Sequence, residues 1–357
     1  MSVTTLTRVQ ILTTVALVCL NSTAMAEWGK GTVQDPITLQ YTDDVEKDWI
    51  EGIRFHSETG NYVITYKDHY GFFNQLVYEP TSKIEPTLRS KLRQTSNLAI
   101  RYQYSVRNGK AAQQNIVWLS TFVSNLNAGS PMDPPGWEGF AMPGVKTSHL
   151  KLSWSYVGKD RQEVMSGKRI GIAPGGKADG FALESNDLPG VAPIEFRGQR
   201  ITNFAWLGNA PEFHSPIGQE VEKLKVKNVV HRVAAVPLVR VETPYNGAAV
   251  LDSLRVHITQ DIVELKLIEP QLAAELDRVL QAAAEAIRRN SLKAARDHLH
   301  DAFKLVHKAH PDVDKDDWEA EDDDSKNKGK AGNVHPIDRL AARVIAFDLK
   351  YIEKRLN

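Results

Sequence analysis

Cysteine is all but missing: Cys19 is the only one in 357 residues. A single thiol closes no disulfide within the chain and cannot build the multi-cysteine zinc sites of small structural domains. Stability must then come from packed cores, and the chain is long enough for two of them. Neither sign of charge is in excess, with 44 Lys plus Arg against 44 Asp plus Glu. Phosphate recognition needs a clustered surplus of cations, so nucleic acid is not expected as a partner. Beyond the N-terminus no apolar run approaches the ~18 residues of a bilayer-crossing helix, and no permanent membrane span is expected. Contiguous catalytic signatures are absent too: no Gly-x-Ser-x-Gly elbow, no His-Glu-x-x-His helix, no phosphate-binding loop and no dinucleotide fingerprint. Carboxylates distant in sequence but paired across a groove would leave no such trace.

What is present begins with residues 1–26, which read as a secretory signal peptide. Arg8 supplies the positive start, Ile11, Leu12, Val15, Ala16, Leu17, Val18 and Leu20 the apolar stretch, and Ala24-Met25-Ala26 the small-residue cleavage site. Cys19 follows Ala16-Leu17-Val18, which is not the context of a lipid-modified cysteine, and it leaves with the signal. The expectation is an exported protein, periplasmic or extracellular.

Residues 27–247 alternate with period two between Gly, Pro and Asn clusters, the pattern of strands and turns. Leu98 to Val106 is one such strand, and Asn108-Gly109 suggests a tight hairpin returning through Ile116 to Val123. His149 to Tyr156 alternates again. Tyr62 to Tyr66 and Phe72 to Tyr78 make an N-terminal hairpin, and Leu188-Pro189-Gly190 reads as the close of a short strand around Phe181 to Glu184. Several half-buried strands need a second layer, so an antiparallel, Ig-like β-sandwich is expected.

From about residue 259 to 357 the period becomes helical. Three amphipathic helices carry Leu272 to Ile287, Leu292 to Val306 and Ile337 to Tyr351, with Pro270 and Pro336 in first turns and Asn290-Ser291 as stop and cap. A shorter helix from about Gln260 to Ile268 precedes them, and an acidic loop occupies 311–334. The class is therefore α+β, a sandwich followed by a helical bundle.

Leu280-Gln-Ala-Ala-Ala-Glu-Ala286, Asn290-Ser-Leu-Lys-Ala-Ala-Arg-Asp-His-Leu299, Ala302-Phe303, Ile337-Asp-Arg-Leu-Ala-Ala342 and Ala346-Phe-Asp-Leu-Lys-Tyr351 make the helical region resemble the FIMAH domain, a C-terminal helical module of bacterial exported proteins. The chain departs from that pattern by its long charged loop before the last helix. Pro134-Pro135-Gly136-Trp137, Gly171-Ile-Ala-Pro-Gly175, Gly180-Phe181 and Leu188-Pro-Gly190 are similar to the sandwich regions that precede such tails. The resemblance implies an exported, non-catalytic module and carries no catalytic residue with it.

Three groups of side chains are candidates for chemistry. His300, His307 and His310 recur along one helical stretch, near His298 and His335, so imidazoles one or two turns apart could share a zinc ion with a neighbouring acid. The competing reading is a solvated polar helix face. Asp312, Asp314 and Asp316 have the odd-position spacing of calcium ligands, but Asp317 stands where an EF-hand turn needs Gly and Asp323 where it needs Glu. A solvated loop is the alternative. Trp137, with Trp28 and Trp206, offers ring faces for sugar stacking, against the alternative of core packing, while Trp118 and Trp154 alternate within strands and read as core. Glu138, Glu184, Asp187 and Glu195 are carboxylates of the strand region with no pairing that spacing can reveal.

The leading expectation is a non-catalytic binding or structural module of the cell envelope or extracellular space, its partner a polysaccharide or a protein. The alternatives are a hydrolase of an extracellular polymer and a metal-binding periplasmic protein. No cofactor is expected apart from a divalent cation, calcium or zinc, at the histidines and acidic loop.

Overall fold

A computed structural model describes residues 33–37, 49–67, 73–95, 99–127, 130–144, 149–158, 171–199, 216–314 and 335–356. Residues 1–26, where an export signal is expected, Cys19 and most of the acidic loop lie outside them. The chain divides into two compact units, one within Met1–Pro80 and Arg200–Asn228, the other within Thr81–Gln199 and Val229–Asn357.

The smaller unit holds a four-stranded antiparallel meander of β1 (Val33–Ile37), β2 (Trp49–His56), β3 (Asn61–Lys67) and β4 (Phe73–Tyr78), in that order. Ile53 faces Ile64 across β2 and β3, and both are buried. Phe55, Tyr62 and Tyr78 form a ring ladder with centroids 5.1 and 6.2 Å apart. Helix α1 (Pro216–Lys227) touches β2 of the same unit, starts on Pro and ends with Lys225 and Lys227 in its last turn. Proline lacks only an amide that the first turn would leave unpaired, and lysines complement the negative helix end.

In the larger unit, β5 (Pro86–Gln94), β6 (Ile100–Asn108) and β10 (Lys177–Ser185) form a sheet ordered β10-β6-β5. The other sheet, ordered β12-β11-β7-β9-β8, is made of β7 (Ile116–Val123), β8 (Trp137–Pro143), β9 (Leu150–Tyr156), β11 (Leu188–Gly198) and β12 (Val230–Val239). All pairings are antiparallel. Their apolar sides meet: the Tyr104 ring lies edge-on to Trp154 at 6.1 Å, and its hydroxyl donates to Ala235 O at 2.9 Å.

The hairpin expected at Asn108-Gly109 does not form, because β6 and β7 belong to different sheets. Asn108 is fully buried and works as a staple instead. Its Nδ2 donates to Gln114 O at 2.8 Å and Ile172 O at 3.0 Å, while Oδ1 accepts from Glu85 N at 3.0 Å. Gly109 allows a close approach, since a Cβ there would lie 2.6 Å from Glu85 Cβ. Leu188-Pro189-Gly190 opens β11 rather than closing a strand.

The helices continue the same core. Helix α2 (Gly247–His257) begins where Asn246 Oδ1 accepts from Ala249 N, and runs into a π turn at Ile258–Ile262, earlier than the helical period alone suggested. Helix α3 (Pro270–Arg288) is tied to α2 by Arg255 and Asp277 at 2.8 Å and by the Arg288–Asp252 ion pair. Asn290, at φ 58°, ends α3 in the left-handed region that asparagine tolerates, and α4 (Leu292–Ala309) follows. After a short turn at Pro311–Asp314 comes α5 (Arg339–Glu353), capped by Asp338 rather than opened by Pro336.

One contact fastens helix to sheet. His257 Nε2 accepts from Val191 N at 2.9 Å, which places the ring proton on Nδ1, where it donates to Asp261 at 2.7 Å. A Cβ on Gly190 would stand 2.7 Å from that Nε2, so only glycine admits the imidazole.

Helix α5 is buried on nearly every side, from Ala341 to Ile352. A helix apolar all round belongs in an interior, yet Asp348 sits there fully buried with no hydrogen-bond partner on either oxygen. Burial pushes its carboxyl well above the usual range and favours the protonated acid. Burial likewise raises Tyr102.

Candidate binding face

Period two sends Leu119, Trp154 and Phe196 inward from the five-stranded sheet and turns their neighbours outward. Strand register then fixes three rows on the outer side. Phe140, Ser153, Ser120, Glu195 and His231 form one, across β8, β9, β7, β11 and β12. Glu138, Ser155, Trp118 and Arg197 form a second, and Met142, Lys151 and Phe122 a third.

This face is rich in partly exposed aromatic surface. Phe122 is 41% and Met142 49% exposed, and Trp118 and Phe140 are half-buried. Trp118 on β7 and Phe140 on β8 are separated by β9, a gap of roughly 9–10 Å between backbones. Their ring centroids are nonetheless 5.6 Å apart, edge to face. Both rings therefore lean over β9, and the small side chains Ser153 and Ser155 make that possible. Lys151 Nζ lies 5.8 Å from the Phe122 ring centroid. The Trp118 indole N–H, the Ser153 hydroxyl and Arg197 Nε have no hydrogen-bond partner.

Beside the rings is a loose charge cluster. Glu195 accepts from Ser120 Oγ at 3.0 Å, and its carboxylate is 3.8 Å from Lys151 Nζ, 3.8 Å from Arg197 and 4.0 Å from His231 Nε2. All four charged side chains are partly exposed.

A second feature is a cleft of about 800 Å³ lined by Asn125, Asp187, Arg240–Gly247 and Ile287. Its acidic floor is already engaged: Asp187 accepts from Ser124 Oγ at 2.6 Å and from Val241 N at 2.8 Å. Tyr245 on its wall is pushed up to about 12, chiefly by burial.

The residues nominated from sequence are dispersed. Trp137 is 7% exposed, with Tyr156 at 5.5 Å and Phe181 at 4.9 Å edge-on to it, so its ring fills the core and offers no open platform. Trp28 and Trp206 lie outside the described residues. His300 and His307 lie on the exposed side of α4, whereas His310 turns inward to the His335 ring at 4.6 Å. Asp312 and Asp314 fall in the short turn after α4, and Asp316 lies outside the described residues. Among the described residues no group of three His, Cys, Asp or Glu is placed to hold a metal ion. Of the carboxylates, Glu184 pairs with Arg101 at 2.7 Å, Asp187 floors the cleft, and Glu138 and Glu195 stand on the outer face.

Trp118, Phe122 and Phe140 were not nominated. Ile116 to Val123 is apolar at positions of both parities, so alternation cannot say which side faces water. No described helix is long and apolar enough to cross a membrane. No family model, curated protein or solved structure matches the chain.

Proposed function

We propose that the protein is an exported, non-catalytic module of the cell envelope or extracellular space that binds polysaccharide on the outer face of its five-stranded sheet. In this reading an Ig-like sandwich is the scaffold, and the helical region is a FIMAH-like tail fused to its core. The observation that carries it is the partly exposed trio of Trp118, Phe140 and Phe122 on one sheet face. A flat apolar ring matches the CH face of a pyranose, and three such rings on one face offer more than one place to stack. A sheet presents such rings on a rigid backbone, so little order has to be created on binding.

The test is retention of the purified protein on peptidoglycan and a panel of insoluble polysaccharides, with the supernatant assayed for released sugar. Retention without release, weakened about tenfold in Trp118→Ala or Phe140→Ala, is the expected result. Release of reducing ends would favour a hydrolase, and retention indifferent to both substitutions would move the site elsewhere.

A further inference from the structure

The charge cluster beside the rings selects among polysaccharides. We propose that the outer face recognises a linear polymer of carboxylate-bearing sugars, a uronic-acid polysaccharide, with Arg197 and Lys151 as its carboxylate receptors. This rests on the binding-face reading above and adds the ligand class to it.

Three observations support it. First, Lys151, Arg197 and His231 surround a single carboxylate, Glu195, so two fixed cations and an imidazole share one negative charge. The only other charge in the three rows is Glu138, on the far strand of the Arg197 row and three strands from it, roughly 14 Å away by strand spacing. Second, the contacts to Glu195 are slack. At 3.8 Å neither cation makes the direct bond that Arg101 makes with Glu184 at 2.7 Å, and Arg197 Nε has no partner at all. Nε is buried, whereas the side chain as a whole is 38% exposed, so the terminal nitrogens are the part of this loosely held guanidinium that can turn to a second carboxylate.

Third, each cation stands next to a ring. Arg197 is the register partner of Trp118 and Lys151 that of Phe122, so both are strand neighbours about 5 Å apart at the backbone. Positions 118 and 122 lie four residues apart on β7, so the two rings start roughly 13–14 Å apart along the strand, while the two cationic ends converge on one oxygen of Glu195, each 3.8 Å from it. A sugar chain running along β7 would meet two ring faces with a pair of cations beside them for its acid group. A neutral polymer would use the rings and leave the cations idle.

The experiment compares polygalacturonate with the same polymer fully methyl-esterified, which keeps the ring faces and removes the charge. Dissociation constants are measured for the wild type, Arg197→Gln, Lys151→Gln and Trp118→Ala, with thermal melting to confirm folding. We expect the wild type to bind the acid form at least about tenfold more tightly than the ester. Arg197→Gln and Lys151→Gln should each lose about three- to tenfold on the acid form, with no change on the ester. Equal affinity for both forms would overturn the ligand class while leaving the binding face intact. Preference for the acid form that both glutamine variants retain would place the recognition off this face and overturn the assignment of Arg197 and Lys151. Failure of both polymers to bind would overturn the ligand class, and the polysaccharide panel read with Trp118→Ala would then decide the binding face separately.

Discussion

On the outer sheet face, Glu195 stands partly exposed among Lys151, Arg197 and His231, whereas on α5 Asp348 is fully buried with neither oxygen partnered. Two carboxylates of one compact unit thus occupy opposite surroundings. The first stands in water among cations, and loosely held surface pairs of this kind contribute little to stability. The second has no medium for its charge and persists as the neutral acid, so its burial ties stability to pH. The difference separates a region open to solvent from one organised to hold the fold.

Two tryptophans sharpen that contrast most strongly. Trp137, packed between Tyr156 and Phe181, belongs to the fold. Trp137→Ala should cost about 3–5 kcal/mol in chemical denaturation, as removal of a buried tryptophan does. The loss should fall on the larger unit, which holds this packing.

Asp348 comes next. Its folded pKa is raised above the unfolded value, so between the two the folded state binds more protons than the unfolded chain. Stability that is fully present below the unfolded pKa of about 4 is then lost as pH rises through the folded value, by up to about 1.4 kcal/mol per pH unit. Denaturation of the wild type and Asp348→Leu from pH 4.5 to 8 should show the difference between them growing with pH in favour of the leucine variant. A constant difference would mean that Asp348 ionises normally.

A third substitution strikes the fastening of helix to sheet. Gly190→Ala places a methyl group 2.7 Å from His257 Nε2 and 2.8 Å from Leu238 Cβ. Relieving that overlap should cost roughly 1–3 kcal/mol, and exchange protection of the Val191 amide should fall because its acceptor is displaced.

Much of the architecture is legible in the sequence, and what is not has identifiable causes. Alternation locates strands such as Leu150–Tyr156, and the helical period locates α3, α4 and α5. The pairing of strands is another matter: Asn108-Gly109 has the chemistry of a tight turn, but its buried amide is taken up by Glu85, Gln114 and Ile172, partners that only the tertiary fold assembles. Pro189 and Gly190 look like strand breakers, and the reason for the glycine is a histidine 67 positions later in the chain. Helix α1 lies in a region whose Gly, Pro and Asn content suggested turns. The outer aromatic face was hidden because Ile116–Val123 is apolar on both sides of the strand. Its cross-strand neighbours, Phe140 and Arg197, come from segments whose adjacency no local pattern encodes. The burial of Asp348 was equally invisible, since a polar residue in an amphipathic helix is ordinarily assigned to water.

The smallest expected change in stability carries the largest functional consequence. Trp118 is half-buried on the outer face, and Trp118→Ala should lower stability by only about 1 kcal/mol. The most direct measurement is the affinity of this variant, beside the wild type and Glu138→Gln as a variant at the edge of the same face, for whichever polysaccharide of the panel the wild type holds most tightly. The account predicts binding weakened at least about tenfold by Trp118→Ala with melting nearly unchanged. Wild-type affinity in a folded Trp118→Ala protein would contradict the claim that the outer sheet face is the binding surface.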